Sequence, residues 1–242
     1  MKVSIVVPAK NEEAIIGDCL ESILLQTVRP REVIVVDNAS TDNTRACIDA
    51  FAARFKKKEI SLVVLTCING NQIEARGMAF RTAKHEIIGT IDADTTLSRT
   101  WVEETIRCFE SDADIVGMGG SITYNDSVVA FLHWWVFTVY RIFPKNYFFY
   151  GCNGAFRRSV YHQIPRVEEC RILMEQYHLH EPYDDLFLSF QLKKYGKVVQ
   201  WRSALAFARS RTTGQPGSFV GALCRSSTQF KESLFLQKLL KP

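Results

Sequence analysis

Along the first hundred residues, apolar runs of strand length alternate with longer stretches whose apolar positions recur at helical spacing. Residues 3–7 (VSIVV) stop at Pro8, the pattern of a buried strand. From 11 to 26, Ile15, Ile16, Cys19, Leu20, Ile23 and Leu24 predict a helix. Asn11 is its expected N-cap, with Glu12 and Glu13 in a first turn where the helix dipole favours acids. Residues 32–36 (EVIVV) predict a second buried strand, and the polar turn 37–42 (DNASTD) caps a helix through about Phe55. A third strand follows at 61–65, a third helix at 71–83, and a fourth strand at 86–91 that runs into Asp92, Ala93 and Asp94.

The second half is less regular. A strand is predicted at 114–118, a charged helical segment at 167–178, a helix opened by Asp184 and Asp185 and ending near Gly196, and a late strand at 197–201. No internal repeat or linker divides the chain, so 1–242 reads as one domain. Strand and helix in alternation, with unbroken β-branched runs, predict an α/β fold: a doubly wound, mainly parallel sheet flanked by helices. Ligands of such sheets bind at the carboxyl ends of the strands, which here carry Pro8, Ala9, Asp37, Asp92 and Asp94.

Composition narrows the classes. Hydrophobic residues at 47% and charged residues at 23% are globular values and exclude disordered and collagen-like chains. A net charge of +4 is too small to point to nucleic acid and suits an anionic substrate or an acidic lipid surface. The seven cysteines are scattered without a CxxC, so a reducing, cytoplasmic compartment is expected rather than a disulfide framework or zinc ribbon. The opening MKVSIVVPAKNEE does not read as a signal peptide. Residues 128–150 are rich in aromatics, including Trp134, Trp135, Tyr140, Tyr147 and Tyr150. Their longest nearly apolar stretch, 128–143, holds His133 and Arg141 and falls short of the about 20 residues of a spanning helix. A peripheral seat on the inner face of a membrane and a place in the protein's own core are weighed evenly for this segment. Lysines interleaved with Phe230, Leu234, Phe235 and Leu239 in the C-terminal stretch favour the surface slightly.

Asp92 and Asp94 form a DxD pair at a strand end, where residues i and i+2 point the same way. Oxygen ligands of this kind suit Mn2+ or Mg2+, with water and substrate phosphates completing the shell; a turn that merely carries two acids is the plain alternative. Asp37 can accept from a base or ribose, or simply cap the next helix with Ser40 and Asp42. Neither GxGxxG nor GxxxxGK[ST] follows the first strand, which disfavours dinucleotide and P-loop sites.

These blocks resemble glycosyltransferase family 2, inverting enzymes of the GT-A fold. The resemblance is carried by 3–13 (VSIVVPAKNEE), 36–44 (VDNASTDNT), 91–95 (IDADT), 153–158 (NGAFRR) and 183–199 (YDDLFLSFQLKKYGKVV), and covers roughly 1–215. It implies a nucleotide-sugar half at 1–100, an acceptor half at 101–215 and an amphipathic extension at 216–242. Pro8, Ala9, Glu12, Asp37, Arg76 and Asp92 would face the donor nucleotide, and Asp94 would be the principal metal ligand, helped by Asp92. Asp185 would be the catalytic base, with Asn153, Gly154 and Asp184 on the acceptor side; Asp184 stands where the family usually has Glu. Arg209 and Arg211 lie in a late loop suited to clamping a diphosphate, or are plain solvated charges. The implied reaction moves one sugar from a nucleotide-diphosphate sugar, UDP-linked, to a glycan or lipid-linked acceptor, as in cell-envelope glycan synthesis. The Gln-x-x-Arg-Trp motif of processive synthases is absent beyond Asp185, which argues for a single transfer. The stretch 159–182, with His178 and His180, is longer than the family's usual connection; the paired histidines read as exposed loop residues. Two rivals are a nucleotidyltransferase, which would show a Gly-rich basic loop after the first strand, and a membrane-peripheral scaffold of the same fold.

Overall fold

The computed structural model describes residues 1–124, 151–178 and 184–209. In chain order its elements are β1 (Val3–Ala9), α1 (Ile16–Leu24), β2 (Glu32–Asp37), α2 (Thr44–Asp49), α3 (Ala52–Lys57), β3 (Ser61–Thr66), α4 (Gln72–Thr82), β4 (Ile87–Ile91) and β5 (Thr95–Leu97). They continue with α5 (Trp101–Ser111), β6 (Ile115–Tyr124), β7 (Asn153–Arg157), α6 (Arg158–Tyr161), α7 (Glu169–Gln176), α8 (Asp184–Lys193) and β8 (Lys197–Ala208). The strands form one sheet in the order β3-β2-β1-β4-β7-β6-β8-β5. The first four in that order pair in parallel. β7 runs antiparallel to both β4 and β6, and β5 antiparallel to β8, so the sheet is mixed rather than uniformly parallel.

Unbroken apolar runs are what a sheet covered on both faces requires. Successive side chains point to opposite faces, and the core divides accordingly. Ile5, Val7, Val33, Val35, Ile87 and Ile91 pack with Leu20 and Ile23 of α1 and with Trp101, Val102 and Phe109 of α5. Their neighbours Val6, Ile34, Val36 and Ile88 pack on the other side with Ala75, Ala79 and Phe80 of α4 and with Leu188 and Leu192 of α8.

The structure departs from the pattern in four places. β3 is the edge of the sheet and is half-exposed, because only one neighbour and little helix cover it. α1 begins at Ile16, five residues late. Asn11 has φ 55° and does not cap it; its side chain turns to the next loop. The helix expected through Phe55 is broken into α2 and α3 around Ala50 and Phe51. β6 and β8 run well past the predicted 118 and 201, since they pair with each other along their length. Asn71 does cap α4, accepting from the backbone of Ile73 and Glu74. No helix among the described residues is long and apolar enough to cross a membrane. The aromatic segment 128–150 and the extension 216–242 lie outside them.

A buried polar knot ties the two halves of the sheet. Trp101 Nε1 donates to Asn153 Oδ1 at 2.7 Å, and Asn153 Nδ2 donates to the carbonyls of Ser121 (2.7 Å) and Ala204 (3.1 Å). The indole also fills the space left by Gly89 in β4, where a Cβ would stand 2.7 Å from the ring. Gly89→Ala should therefore push Trp101 off Asn153 and cost about 1–3 kcal/mol, the usual range for overpacking. Urea unfolding followed by tryptophan fluorescence measures it; an unchanged midpoint would show that the ring can give way freely.

Candidate functional site

The loops that leave β1 and β2 are laced together at the carboxyl edge of the sheet. Asn11 N–H donates to Ser40 Oγ (3.1 Å), Glu12 N–H to Thr44 Oγ1 (2.7 Å) and Glu13 N–H to Asp42 Oδ2 (3.2 Å). In return Thr41 N–H donates to Asn11 Oδ1 and Asn43 N–H to Glu13 Oε2, both at 2.8 Å. The Asn11 and Glu13 side chains thus serve the neighbouring loop's backbone donors rather than their own helix, which is why their spacing suggests a helix start that the structure does not have. Pro8 and Ala9 are buried at the end of β1. Asp37 closes β2, and its Oδ1 accepts from Ser40 N–H at 3.2 Å, a local turn that fixes the carboxylate. Asn38 beside it is 3% exposed, and its Oδ1 has no partner among the described residues. The sequence reading did not single it out.

β4 delivers the DxD pair. Ala93 is buried in the core, whereas Asp92 and Asp94 on either side of it stay partly exposed; they lie past the end of β4 in a turn closed by Thr95 N–H on the Asp92 carbonyl (3.1 Å), not on an extended strand. Asp94 accepts at Oδ1 from Thr95 Oγ1 and at its carbonyl from Arg209 N–H (3.2 Å), so the end of β8 lies against it. The Arg209 side chain itself pairs with exposed Asp18 at 2.6 Å. Arg211 lies outside the described residues.

At the centre lies Arg76, 4% exposed. Its Nη2 donates to Asp92 Oδ1 at 2.5 Å and its Nη1 to Asp184 Oδ2 at 2.6 Å. Asp184 is 3% exposed and opens α8. Asp185, next to it and partly exposed, accepts from Gly151 N–H at Oδ2 (3.2 Å) and from Leu186 N–H at Oδ1 (2.7 Å). Thr90 Oγ1 of β4 in turn donates to the Gly151 carbonyl at 3.0 Å. One connected chain therefore runs from the DxD pair through Arg76 to the acids of α8. Arg76, expected among the donor-binding residues, is instead committed to two carboxylates of the protein. The sequence does carry a signal for this: Arg76 sits with Ile73, Gly77 and Phe80 on the core face of α4, where a cation must find buried partners.

The electrostatics separate the two neighbouring acids. Burial first, then the Asp184 charge, pushes the Asp185 carboxyl up to about 7, while Arg76 and the two N–H donors pull it down. Asp185 is thus poised to lose and regain a proton near neutrality. Two thiols flank the carboxylates. Burial, followed by Asp94 for Cys19 and by Asp92 for Cys152, pushes both up, so neither is a thiolate nucleophile near neutral pH.

Asn153 and Gly154, expected to face an acceptor, are buried in β7. Both amide donors of Asn153 are used within the protein, so its side chain braces β6, β7 and β8 and is closed to a ligand. Among the described residues no three His, Cys, Asp or Glu side chains gather to hold a metal on their own.

This sheet order is that of the GT-A fold, and known proteins share it. A mannosyltransferase of Pyrobaculum calidifontis, solved with GDP-Man and Mn2+, superposes with a TM-score of 0.68 at 21% identity, covering 88% of this chain and 58% of that one. A glucosyl-3-phosphoglycerate synthase of Mycobacterium tuberculosis, solved with Mn2+, UDP and phosphoglyceric acid, gives 0.62 at 19% identity over 96% of this chain and 78% of that one. Glycosyltransferase GlyG of Streptococcus pneumoniae is 32% identical over 126 residues, 52% of this chain; the match spans 40% of that protein's length. The model of glycosyl transferase family 2 matches residues 4–164, and the chain belongs to that family.

Breaking a buried ion pair from one side strands a charge in the interior, which costs about 3–5 kcal/mol. Arg76→Ala should lose stability on that scale, whereas Arg209→Ala, which removes an exposed pair, should stay within about 1 kcal/mol. Denaturant midpoints at pH 7 compare them, and similar losses would mean that Arg76 is not the buried keystone.

Proposed function

We propose that the chain transfers a single sugar, with inversion, from a UDP-linked donor to an acceptor hydroxyl on a glycan or lipid-linked acceptor. The observation that carries this reading is Asp185: a carboxyl raised to about 7 at the mouth of a helix, beside a permanently paired Asp184. As the acceptor oxygen attacks the anomeric carbon, Asp185 takes its proton, and the nucleotide diphosphate leaves from the opposite face of the sugar. The laced loops after β1 and β2, with Pro8, Ala9, Glu12 and Asp37, form the wall for the base and ribose. Arg209 and Arg211 serve the diphosphate.

Asp92 and Asp94 fit a divalent cation. They are oxygen-only, partly exposed, and too few to close a shell, which leaves room for phosphate oxygens and water. Mn2+ or Mg2+ held there would neutralise charge on the leaving diphosphate. The Mn2+ and nucleotide in the related structures support this reading. A cytoplasmic enzyme resting on the inner membrane face through 128–150 is the setting the aromatic composition supports.

Asp185→Asn keeps the shape and should lower transfer about 10²- to 10⁴-fold while leaving UDP affinity in place. Rates over a panel of sugar nucleotides, with calorimetry of UDP, test it, and undiminished turnover would move the base to another residue. Asp94→Ala should abolish the Mn2+ dependence of UDP binding with an unchanged melting temperature; UDP binding by the parent that ignores EDTA would contradict the metal assignment.

A further inference from the structure

Arg76 occupies a position that ties the two ends of the site to one another. Its guanidinium is held at both tips, by Asp92 on the cation side and by Asp184 on the acid side. It also lies flat on Gly151: a Cβ there would stand 2.6 Å from Nη1 and 2.9 Å from Nη2. Gly151 is the residue whose N–H holds Asp185. The guanidinium therefore reaches Asp185 by two routes, through Asp184 and through the backbone beneath it. It reaches the DxD pair through the Asp92 oxygen it occupies.

We propose that Arg76 is a positioning residue that couples occupancy of the cation site to the placement of Asp185. This rests on the function proposed above. A cation and Arg76 compete for Asp92. Arg76 holds Asp92 Oδ1, and sharing that carboxylate would hold down affinity for a bare metal ion. With metal and diphosphate bound, Asp92 would turn toward them and the guanidinium would be left to the α8 acids, holding Asp185 on the Gly151 N–H from which it already accepts. Gly151 has no side chain because the guanidinium fills that volume.

The test is Arg76→Gln, with Arg76→Lys and the double variant Arg76→Gln/Asp184→Asn alongside it. The double variant removes the buried cation together with one of its acids, so it folds without a stranded charge even where the single variant does not. The first readout is Mn2+ binding without nucleotide, followed by the paramagnetic signal of free Mn2+. Removing a positive charge this close to the site should tighten it by roughly tenfold or more. The second readout is steady-state transfer. Loss of placement should lower kcat about 10²-fold with the donor KM little changed. Lysine keeps the charge but cannot span two carboxylates, so Arg76→Lys should fall between parent and Arg76→Gln in both readouts. Mn2+ affinity unchanged or weakened in Arg76→Gln, or in Arg76→Lys where the glutamine variant does not fold, overturns the coupling. A donor KM that rises while kcat holds would make Arg76 a donor ligand instead. Tightened Mn2+ binding in proteins that turn over no sugar nucleotide would uphold the competition for Asp92 and refute the proposed reaction.

Discussion

A guanidinium taken out of water must be matched by anions held at hydrogen-bond distance, and the structure is arranged around that requirement at Arg76. Two carboxylates meet it directly, Asp92 from the end of β4 and Asp184 from the start of α8. One positive charge then stands among three acids, because Asp185 adjoins the pair without a direct bond to Arg76 among those described. Asp185 is the one raised, first by its burial and then by the Asp184 charge beside it. The same charge thus supplies both cohesion and reactivity.

The sheet brings these groups together from distant parts of the chain. β4 sits between β1 and β7, so its last residues face the laced loops of β1 and β2 on one side and Gly151 on the other. α4 crosses the face carrying Val6, Ile34 and Ile88 and places Arg76 at the carboxyl edge. α8 packs on that face through Leu188 and Leu192 and ends its N-terminus at the same point. The Trp101–Asn153 knot fixes β6, β7 and β8 behind it, so Gly151 is anchored from below.

Much of this was legible in the sequence. The strands around Ile5, Ile34 and Ile88 were plain because two covered faces demand unbroken apolar runs, and Asp92, Asp94, Asp184 and Asp185 stood out as acids at element ends. The misses have physical causes. Asn11 and Glu13 looked like a helix start because a polar side chain before an apolar run can cap locally or reach across to another loop, and spacing does not distinguish the two. The edge position of β3 depends on sheet order, which a run of valines does not encode. Asn153 matched a family motif, yet its amide is spent on Trp101, Ser121 and Ala204, contacts that exist only once the sheet has formed. The partners of Arg76 lie 16 and 108 residues away, beyond any local pattern.

The fold holds Asp185 against its own ionisation. Unfolded, such a carboxyl loses its proton near 3.8; folded, it keeps it to about 7. The folded state binds the extra proton between those values, so its stability falls as pH rises from about 4 and the loss is complete above about 7. Asp185→Asn carries no such penalty. Denaturant unfolding of the parent and of Asp185→Asn from pH 4 to 9 is the direct measurement. A gap in favour of Asn should open between about pH 4 and 7 and then stay constant. Curves that remain parallel across the whole range would contradict it.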